Sequence, residues 1–276
     1  MLKRTMTIAV AVMAVFGGWS TAQGAGIVED TQLFGVNQDD GSVTLSLTDF
    51  TIKDDDLLVV SFSQEHNDGA GGGISSVKYG GLDMNLAVGA EREDTAVDST
   101  NTALSSIWFI DPSDGTSDIT LNSGVENIRF IASVMYVSGT SGVVESSDTT
   151  EQDSVPVTTG PISVSAGALV VDAYAFPRGG TGTINSEGLA EHGGTLLQKY
   201  DTDTVGGGSA FSQFGTSYLI SNSELPSLST TWDHDNASAE DGAASLAVAS
   251  FAEIPEPATA TLFALTAVAL LRRRRR

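Results

Sequence analysis

Alternation of apolar and polar residues with a period of two runs through the chain between Gly26 and Glu253. In "SVTLSLTDFTI", Val43, Leu45 and Leu47 share one face of an expected strand while Ser and Thr occupy the other. The runs "DLLVVSFS", "SSIWFI", "FIASVMYV" and "ALVVDAYAF" are more continuously apolar, which is typical of central strands. No window of a dozen residues in this region has a helical period. The pattern therefore predicts an all-β protein.

Clusters of Gly, Asp, Asn, Ser and Pro separate the apolar runs, as in "NQDDGS", "HNDGAGGG", "DPSDGTSD", "RGGTG" and "DTDTVGGGS". These residues favour turns because Gly reaches positive φ and because Asp and Asn side chains bond to their own backbone. Many short strands at roughly even spacing predict an antiparallel β-sandwich of the jelly-roll type with about ten strands.

The two halves of this region resemble each other. "DLLVVSF" near residue 57 matches "GALVVDAY" near 169, and "ASVMYVSG" near 133 matches "LAVASFAE" near 248. The matched segments lie about 107 to 115 residues apart, which is the kind of period that an internal duplication produces. Two runs of about five strands would then form one sheet each or interleave as two Greek keys.

The N-terminal residues 1–25 have the layout of a secretory signal peptide. Lys3 and Arg4 form a basic start, an apolar core of about nine residues follows, and small residues allow cleavage after Ala22 or Gly24 by signal peptidase. Residues 26–253, which form the body of the protein, are thus expected to be exported as a single domain.

The body is strongly acidic and contains no cysteine. It holds 34 of the 35 acidic residues against six basic ones, which gives a formal charge of −28. Such a charge repels nucleic acid and anionic lipid, so we expect no nucleic-acid partner. The absence of cysteine excludes disulfides and thiolate metal sites.

The sequence contains no recognisable catalytic motif. It has no Gly-x-Ser-x-Gly elbow, and "GAGGG" lacks the spacing of a dinucleotide-binding loop. His66, His192 and His234 each lie within two residues of a carboxylate, but none has the His-x-His or His-x-x-x-His spacing that places two ligands on one element. We therefore expect no catalytic and no cofactor-binding residues.

Trp232 lies beside Asp233 and close to Asp235, which allows two interpretations. An exposed Trp could stack on a sugar ring while the acids bind its hydroxyl groups or a calcium ion. Alternatively, Trp232 ends an inward-facing set with Leu228 and Thr230, which is the interpretation that the alternation favours.

Acidic turns provide weak candidates for calcium binding, because calcium takes six to eight oxygen ligands. The candidates are Asp39, Asp40, Asp201, Asp203, Asp233 and Asp235. None lies in an EF-hand loop or in the nonapeptide repeat of calcium-binding β-rolls, so we expect no firm metal site and at most weakly bound calcium.

The C-terminal residues 254–276 combine three features in a fixed order. A Pro-Glu-Pro (Pro255, Glu256, Pro257) precedes an apolar helix expected over 258–271, and a cluster of arginines follows (Arg272, Arg273, Arg274, Arg275, Arg276). This ending resembles the PEP-CTERM sorting signal of exported bacterial proteins. The resemblance implies recognition of the Pro-Glu-Pro by an exosortase-type membrane protease, removal of the segment, and delivery to the cell surface or matrix.

The physical properties of this segment agree with a transient membrane span. The two prolines delay the start of the helix, and fourteen residues make a helix of about 21 Å, short against a hydrocarbon core of roughly 30 Å. By the positive-inside rule, the arginines would stay cytoplasmic while the body is outside.

These observations favour an exported, surface-sorted, non-enzymatic protein that contributes to the cell envelope or to an exopolysaccharide matrix. A carbohydrate-binding module or a polysaccharide-active enzyme on a jelly-roll scaffold is the alternative, and an adhesin-like self-associating protein is a third hypothesis. Extracellular polysaccharide is a candidate partner in the first two.

Overall fold

A computed structural model describes residues 26–37, 41–45, 57–66, 74–93, 102–111, 117–123, 128–152, 155–176, 184–202, 212–234 and 243–253. Residues 1–25, predicted as a signal peptide, and residues 254–276, with the membrane helix predicted over 258–271, lie outside the described residues. No helix in the described part of the chain is long and apolar enough to cross a membrane.

The described residues form nineteen strands and one 3₁₀ helix, Gly188–His192. The strands are β1 (Gly26–Asn37), β2 (Gly41–Leu45), β3 (Leu57–His66), β4 (Ile74–Tyr79), β5 (Leu82–Asp83), β6 (Asn85–Glu93), β7 (Thr102–Ile110), β8 (Ile119–Ser123), β9 (Ile128–Ser138), β10 (Thr140–Gln152), β11 (Val157–Thr158), β12 (Ile162–Val164), β13 (Leu169–Phe176), β14 (Ile184–Glu187), β15 (Thr195–Thr202), β16 (Ser212–Ile220), β17 (Leu225–Leu228), β18 (Thr231–His234) and β19 (Ala244–Glu253).

The strands divide into two repeats whose five-stranded inner sheets have the same topology. Repeat 1 (β1 to β9) has an inner sheet of order β1-β9-β3-β7-β6 and an outer sheet of order β2-β8-β4-β5. Repeat 2 (β10 to β19) has an inner sheet of order β10-β19-β13-β16-β15 and two small outer sheets, β11-β18-β14 and β12-β17. The strand pairs that the structure gives within these sheets are antiparallel.

The irregularities of the sheets repeat as well. The register shift between Leu86 and Val88 in β6 recurs between Leu196 and Gln198 in β15, and the shift between Ile74 and Ser76 recurs between Ile184 and Ser186. Both recur 110 residues further along the chain. Since a β-bulge is a specific local feature, matching bulges support the internal duplication that the sequence predicts.

Each repeat has its own apolar core between its inner and outer sheets. In repeat 1 this core contains Phe62, Val77, Trp108 and Tyr136, and in repeat 2 the corresponding layer contains Tyr174, Leu246 and Trp232. Because the inner strands have a core on both faces, they are apolar at nearly every position, as in β13 and β19.

The two inner sheets pack face to face, and this interface, which we call the seam, changes character along its length. One part is apolar and includes Leu57, Ile107, Leu169 and Phe251. The other part carries buried hydroxyl groups that bond across the seam. Ser105 Oγ lies 2.8 Å from Ser245 Oγ, Ser133 Oγ lies 2.6 Å from Thr216 Oγ1, and Ser63 Oγ donates to the Gly215 carbonyl oxygen at 3.1 Å.

The prediction of an all-β, antiparallel fold is confirmed. The expected number of about ten strands is too low, because the outer sheets consist of short strands with few apolar residues. Each repeat also contributes an inner and an outer sheet, so the expectation of one sheet per half is incomplete.

Candidate functional site

Most of the predicted calcium candidates fall outside the described residues or lack a described side chain. Asp39, Asp40, Asp203 and Asp235 lie outside the description, and Asp201 is placed on β15 by its backbone alone. Asp233 lies on β18 with a half-buried side chain. Among the residues whose side chains are described, no group of three or more His, Asp or Glu residues could hold a metal ion.

The three histidines occupy different elements. His66 ends β3 and His234 ends β18, and the side chains of both lie outside the description. His192 is exposed in the last turn of the 3₁₀ helix. A catalytic role for any of them therefore stays without structural support.

Trp232 is fully buried and faces inward together with Leu228 and Thr230, as the favoured interpretation predicted. Its indole ring stacks on Tyr174, with ring centroids 5.3 Å apart and an angle of 3° between the planes. This ring is therefore part of the core of repeat 2 and is closed to a sugar in the structure described here.

Asp172 is a buried carboxyl group at the centre of a hydrogen-bond network in repeat 2. It lies in the middle of β13 and has no exposed surface. Oδ1 accepts hydrogen bonds from the Ser217 amide and hydroxyl, both at 2.8 Å. Oδ2 accepts from the Leu189 amide at 3.1 Å and from Thr230 Oγ1 and Trp232 Nε1 at 3.2 Å each. One carboxyl group thus joins the inner sheet, the outer sheet and the 3₁₀ helix.

Burial raises the pKa of Asp172 from 3.8 to about 6, because the charged form is removed from water. The hydrogen bonds from Ser217, Trp232 and Leu189 favour the charged form and oppose this shift. Burial also raises the pKa of Tyr174 well above its usual value, and the negative charge of Asp233 acts in the same direction.

Two glycines make room for this arrangement. Gly188 has φ +59°, and a Cβ atom there would lie 2.1 Å from Asp172 Oδ2 and 2.4 Å from Trp232 Nε1. A Cβ atom on Gly215 would lie 2.2 Å from the far edge of the Trp232 ring. The chain therefore needs glycine at both positions to admit the indole and the carboxyl group together.

The sequence contains one signal for Asp172 that the motif search missed. Asp172 is the single acidic residue within the apolar run "ALVVDAYAF". The strand register places Val60 at the equivalent position of repeat 1, since Val60 pairs with Trp108 and Val134 while Asp172 pairs with Ser217 and Val248. A charged residue that replaces a core valine in one repeat marks a polar centre of that repeat.

The described surface offers polar and acidic groups rather than aromatic ones. Every aromatic ring whose side chain is described is buried or half-buried. A groove between β10 and the two-stranded sheet β12-β17 is lined by Glu145, Glu224, Ser163 and Ser165 among others. Glu145 accepts hydrogen bonds there from the Ser165 amide at 3.1 Å and from the Ser165 hydroxyl, so this carboxylate binds the turn after β12.

No known protein family matches this sequence, and no curated protein or solved structure is significantly similar to the chain.

Proposed function

We propose that this chain is an exported, surface-sorted, non-enzymatic protein that serves as a structural component of the cell envelope or of an exopolysaccharide matrix. In this proposal each repeat is a jelly roll, and the C-terminal residues 258–271 form a membrane helix that holds the protein until an exosortase-type protease removes it. The PEP-CTERM-like ending and the signal-peptide layout support the route, and the acidic body supports a soluble, cation-exchanging surface.

The jelly-roll assignment rests on the order of the strands. In repeat 1, the order β1-β9-β3-β7 faces β2-β8-β4-β5. The strands from β1 to β4 and from β7 to β9 alternate between the two sheets, and β5 stays beside β4, as in two Greek keys. Repeat 2 has the same order in its inner sheet, and its outer strands are shorter.

A single observation carries the non-enzymatic part of the proposal. Asp172 has the raised pKa that a general acid needs, which makes it the described group closest to a catalytic one. It is nevertheless closed off from solvent, and five donors of the fold engage its two oxygens. A general acid must reach the substrate, so this carboxyl group serves the fold.

Two measurements test the proposal. The purified body (residues 26–253) should leave a panel of bacterial polysaccharides intact, and cleavage of any of them would refute the non-enzymatic assignment. Mass spectrometry of the surface-exposed protein should find a C-terminus that lacks Arg272 to Arg276. An intact arginine tail in that pool would refute the sorting route.

The carbohydrate-binding alternative makes a different prediction. It requires tight, specific binding on a glycan array that is lost in Trp232→Ala while the fold persists. Because Trp232 is buried, we expect no such binding by the native body.

A further inference from the structure

The 3₁₀ helix Gly188–His192 depends on a side chain from another strand for its N-terminal cap. Its own N-cap residue, Glu187, makes no capping hydrogen bond through its side chain. Instead, the Leu189 amide donates to Asp172 Oδ2 at 3.1 Å and to Ser217 Oγ at 2.8 Å. The polar attachment of this helix to the inner sheet is therefore centred on Asp172.

Other features of the helix suit it to local opening. Glycines lie at both of its ends, at Gly188, Gly193 and Gly194. Glu191, His192 and Gly193 are exposed, and a Cβ atom on Gly193 would find nothing within 4 Å. Its main apolar attachment is the buried side chain of Leu189. A five-residue helix whose C-terminal half is exposed can open at lower cost than the strands beneath it.

The equivalent segment of repeat 1 lacks this device. The register shifts of β4 and β14 lie 110 residues apart, and extending this offset aligns residues 78–84 with 188–194 and Tyr79 with Leu189. That segment turns through β5 as a hairpin, and the residue beneath it at the position of Asp172 is Val60. Repeat 1 therefore provides a matched segment with no buried carboxyl group beneath it, since its own Asp83 is exposed and pairs with Lys78 at 2.7 Å.

We propose that the 3₁₀ helix and Asp172 form a pH-sensitive latch on repeat 2, which is closed most firmly in acid and opens more often as the pH rises. Opening lifts the Leu189 amide from Asp172 and lets water reach the carboxyl group and the Trp232 ring.

The direction follows from the two states of Asp172. In the closed state burial raises its pKa to about 6, whereas in the open, hydrated state it returns towards 3.8. Between these values the closed state binds a proton that the open state has released, so a rising pH favours opening. The difference corresponds to an increase in the open population on the order of 100-fold, which is complete above a pH of about 6.

Asp172 can carry its proton in the closed state because the groups that hydrogen-bond to it are neutral. A protonated Asp172 can donate to the hydroxyl of Ser217, since a hydroxyl group also accepts. Among the described side chains, the titratable and charged groups on the surrounding elements are Tyr174, Glu187, Glu191, His192, Tyr218, Asp233 and Glu253. His234 also lies on β18, with its side chain outside the description. Burial is the largest cause of the raised pKa of Asp172, and the hydrogen bonds from Ser217, Trp232 and Leu189 oppose it.

Amide hydrogen exchange tests the latch directly. Exchange of the Leu189 amide, corrected for the intrinsic pH dependence of exchange, should show protection falling on the order of 100-fold between a pH of about 4 and about 7. The Tyr79 amide of repeat 1 is the internal control, and its protection should change far less. Parallel changes at both amides, or protection of Leu189 that grows with pH, would overturn the proposal.

Two variants separate Asp172 from the other acidic groups. Asp172→Asn should abolish the pH dependence at Leu189, and its persistence there would show that another group titrates. Thr230→Val keeps the carboxyl group but removes one donor, so it should move the midpoint of the transition to higher pH. An unchanged midpoint in a folded Thr230→Val protein would also count against the latch, even where Asp172→Asn fails to fold.

Discussion

Trp232 and Asp172 lie on different sheets of repeat 2, and the indole Nε1 of Trp232 donates to Asp172 Oδ2 at 3.2 Å inside a fully buried layer. The same ring stacks on Tyr174, two residues after Asp172 on β13. One aromatic side chain therefore fixes the outer sheet to the inner sheet both by packing and by a hydrogen bond to a buried carboxyl group.

Trp232→Phe should destabilise the protein by about 2 to 4 kcal/mol, because it leaves a cavity and removes a donor from a buried carboxyl group. Trp108→Phe is the matched control in repeat 1. The Trp108 indole donates to Ser106 Oγ at 3.0 Å, and Ser106 is only half-buried, so water can replace the lost donor. Urea unfolding should show a smaller loss for Trp108→Phe. Equal losses would contradict a special role for the Asp172 contact.

Gly188→Ala should be far more damaging than Gly193→Ala. Both glycines have positive φ, at +59° and +83°, so alanine is strained by about 1 kcal/mol at either position. Only at Gly188 does the new Cβ atom also meet Asp172 and Trp232. We expect thermal unfolding to show a further loss of about 2 kcal/mol or more for Gly188→Ala. Similar melting temperatures for the two variants would show that Asp172 and Trp232 can shift at little cost to admit the new Cβ atom.

The hydroxyl groups of the seam should couple the two repeats energetically. In a double-mutant cycle, Ser105→Ala and Ser245→Ala should have a coupling energy of about 1 kcal/mol, because the two hydroxyl groups are buried and bond to each other. Ser105→Ala combined with Ser250→Ala is the control, since Ser250 Oγ bonds to the Ser146 carbonyl oxygen away from the seam. Additivity in both pairs would mean that the seam hydroxyls contribute nothing specific.

The strands with a core on both faces could be predicted from the sequence, and the strands at sheet edges could not. β3, β7, β9 and β13 are nearly continuous apolar runs, so their pattern stands out. β10 is thirteen residues long but lies at the edge of its sheet, where its side chains alternate between half-buried and exposed. Its sequence, "TSGVVESSDTTEQ", is accordingly polar and gives little periodic signal.

The polar centre around Asp172 could not be predicted for a related reason. Its donors come from Leu189, Ser217, Thr230 and Trp232, which are as many as 60 residues away in the chain. Strand pairing brings these donors together around Asp172. A motif search compares residues that are close in sequence, so it does not detect such a cluster. The sequence signal for it is the acidic residue within the apolar run "ALVVDAYAF", whereas the equivalence of Asp172 and Val60 follows from the strand register.

The two repeats should unfold as one cooperative unit. A single residue, Gly139, joins β9 to β10, and the seam between the inner sheets buries apolar residues of both repeats together with the hydroxyl pairs. Neither repeat can leave the other without exposing one face of its inner sheet, which is apolar over much of its length. Trp108 lies in repeat 1 and Trp232 in repeat 2, so each tryptophan reports on one repeat.

The measurement uses the body from Gly26 to Glu253, which lacks Trp19, in two versions that keep only Trp108 or only Trp232. In each version, the urea transition followed by tryptophan fluorescence should coincide with the transition followed by far-UV circular dichroism. A fluorescence midpoint that differs from the dichroism midpoint in either version would show that one repeat unfolds first. The seam would then be a contact between two independent sandwiches, and the cooperative interpretation of the inner sheets would fail.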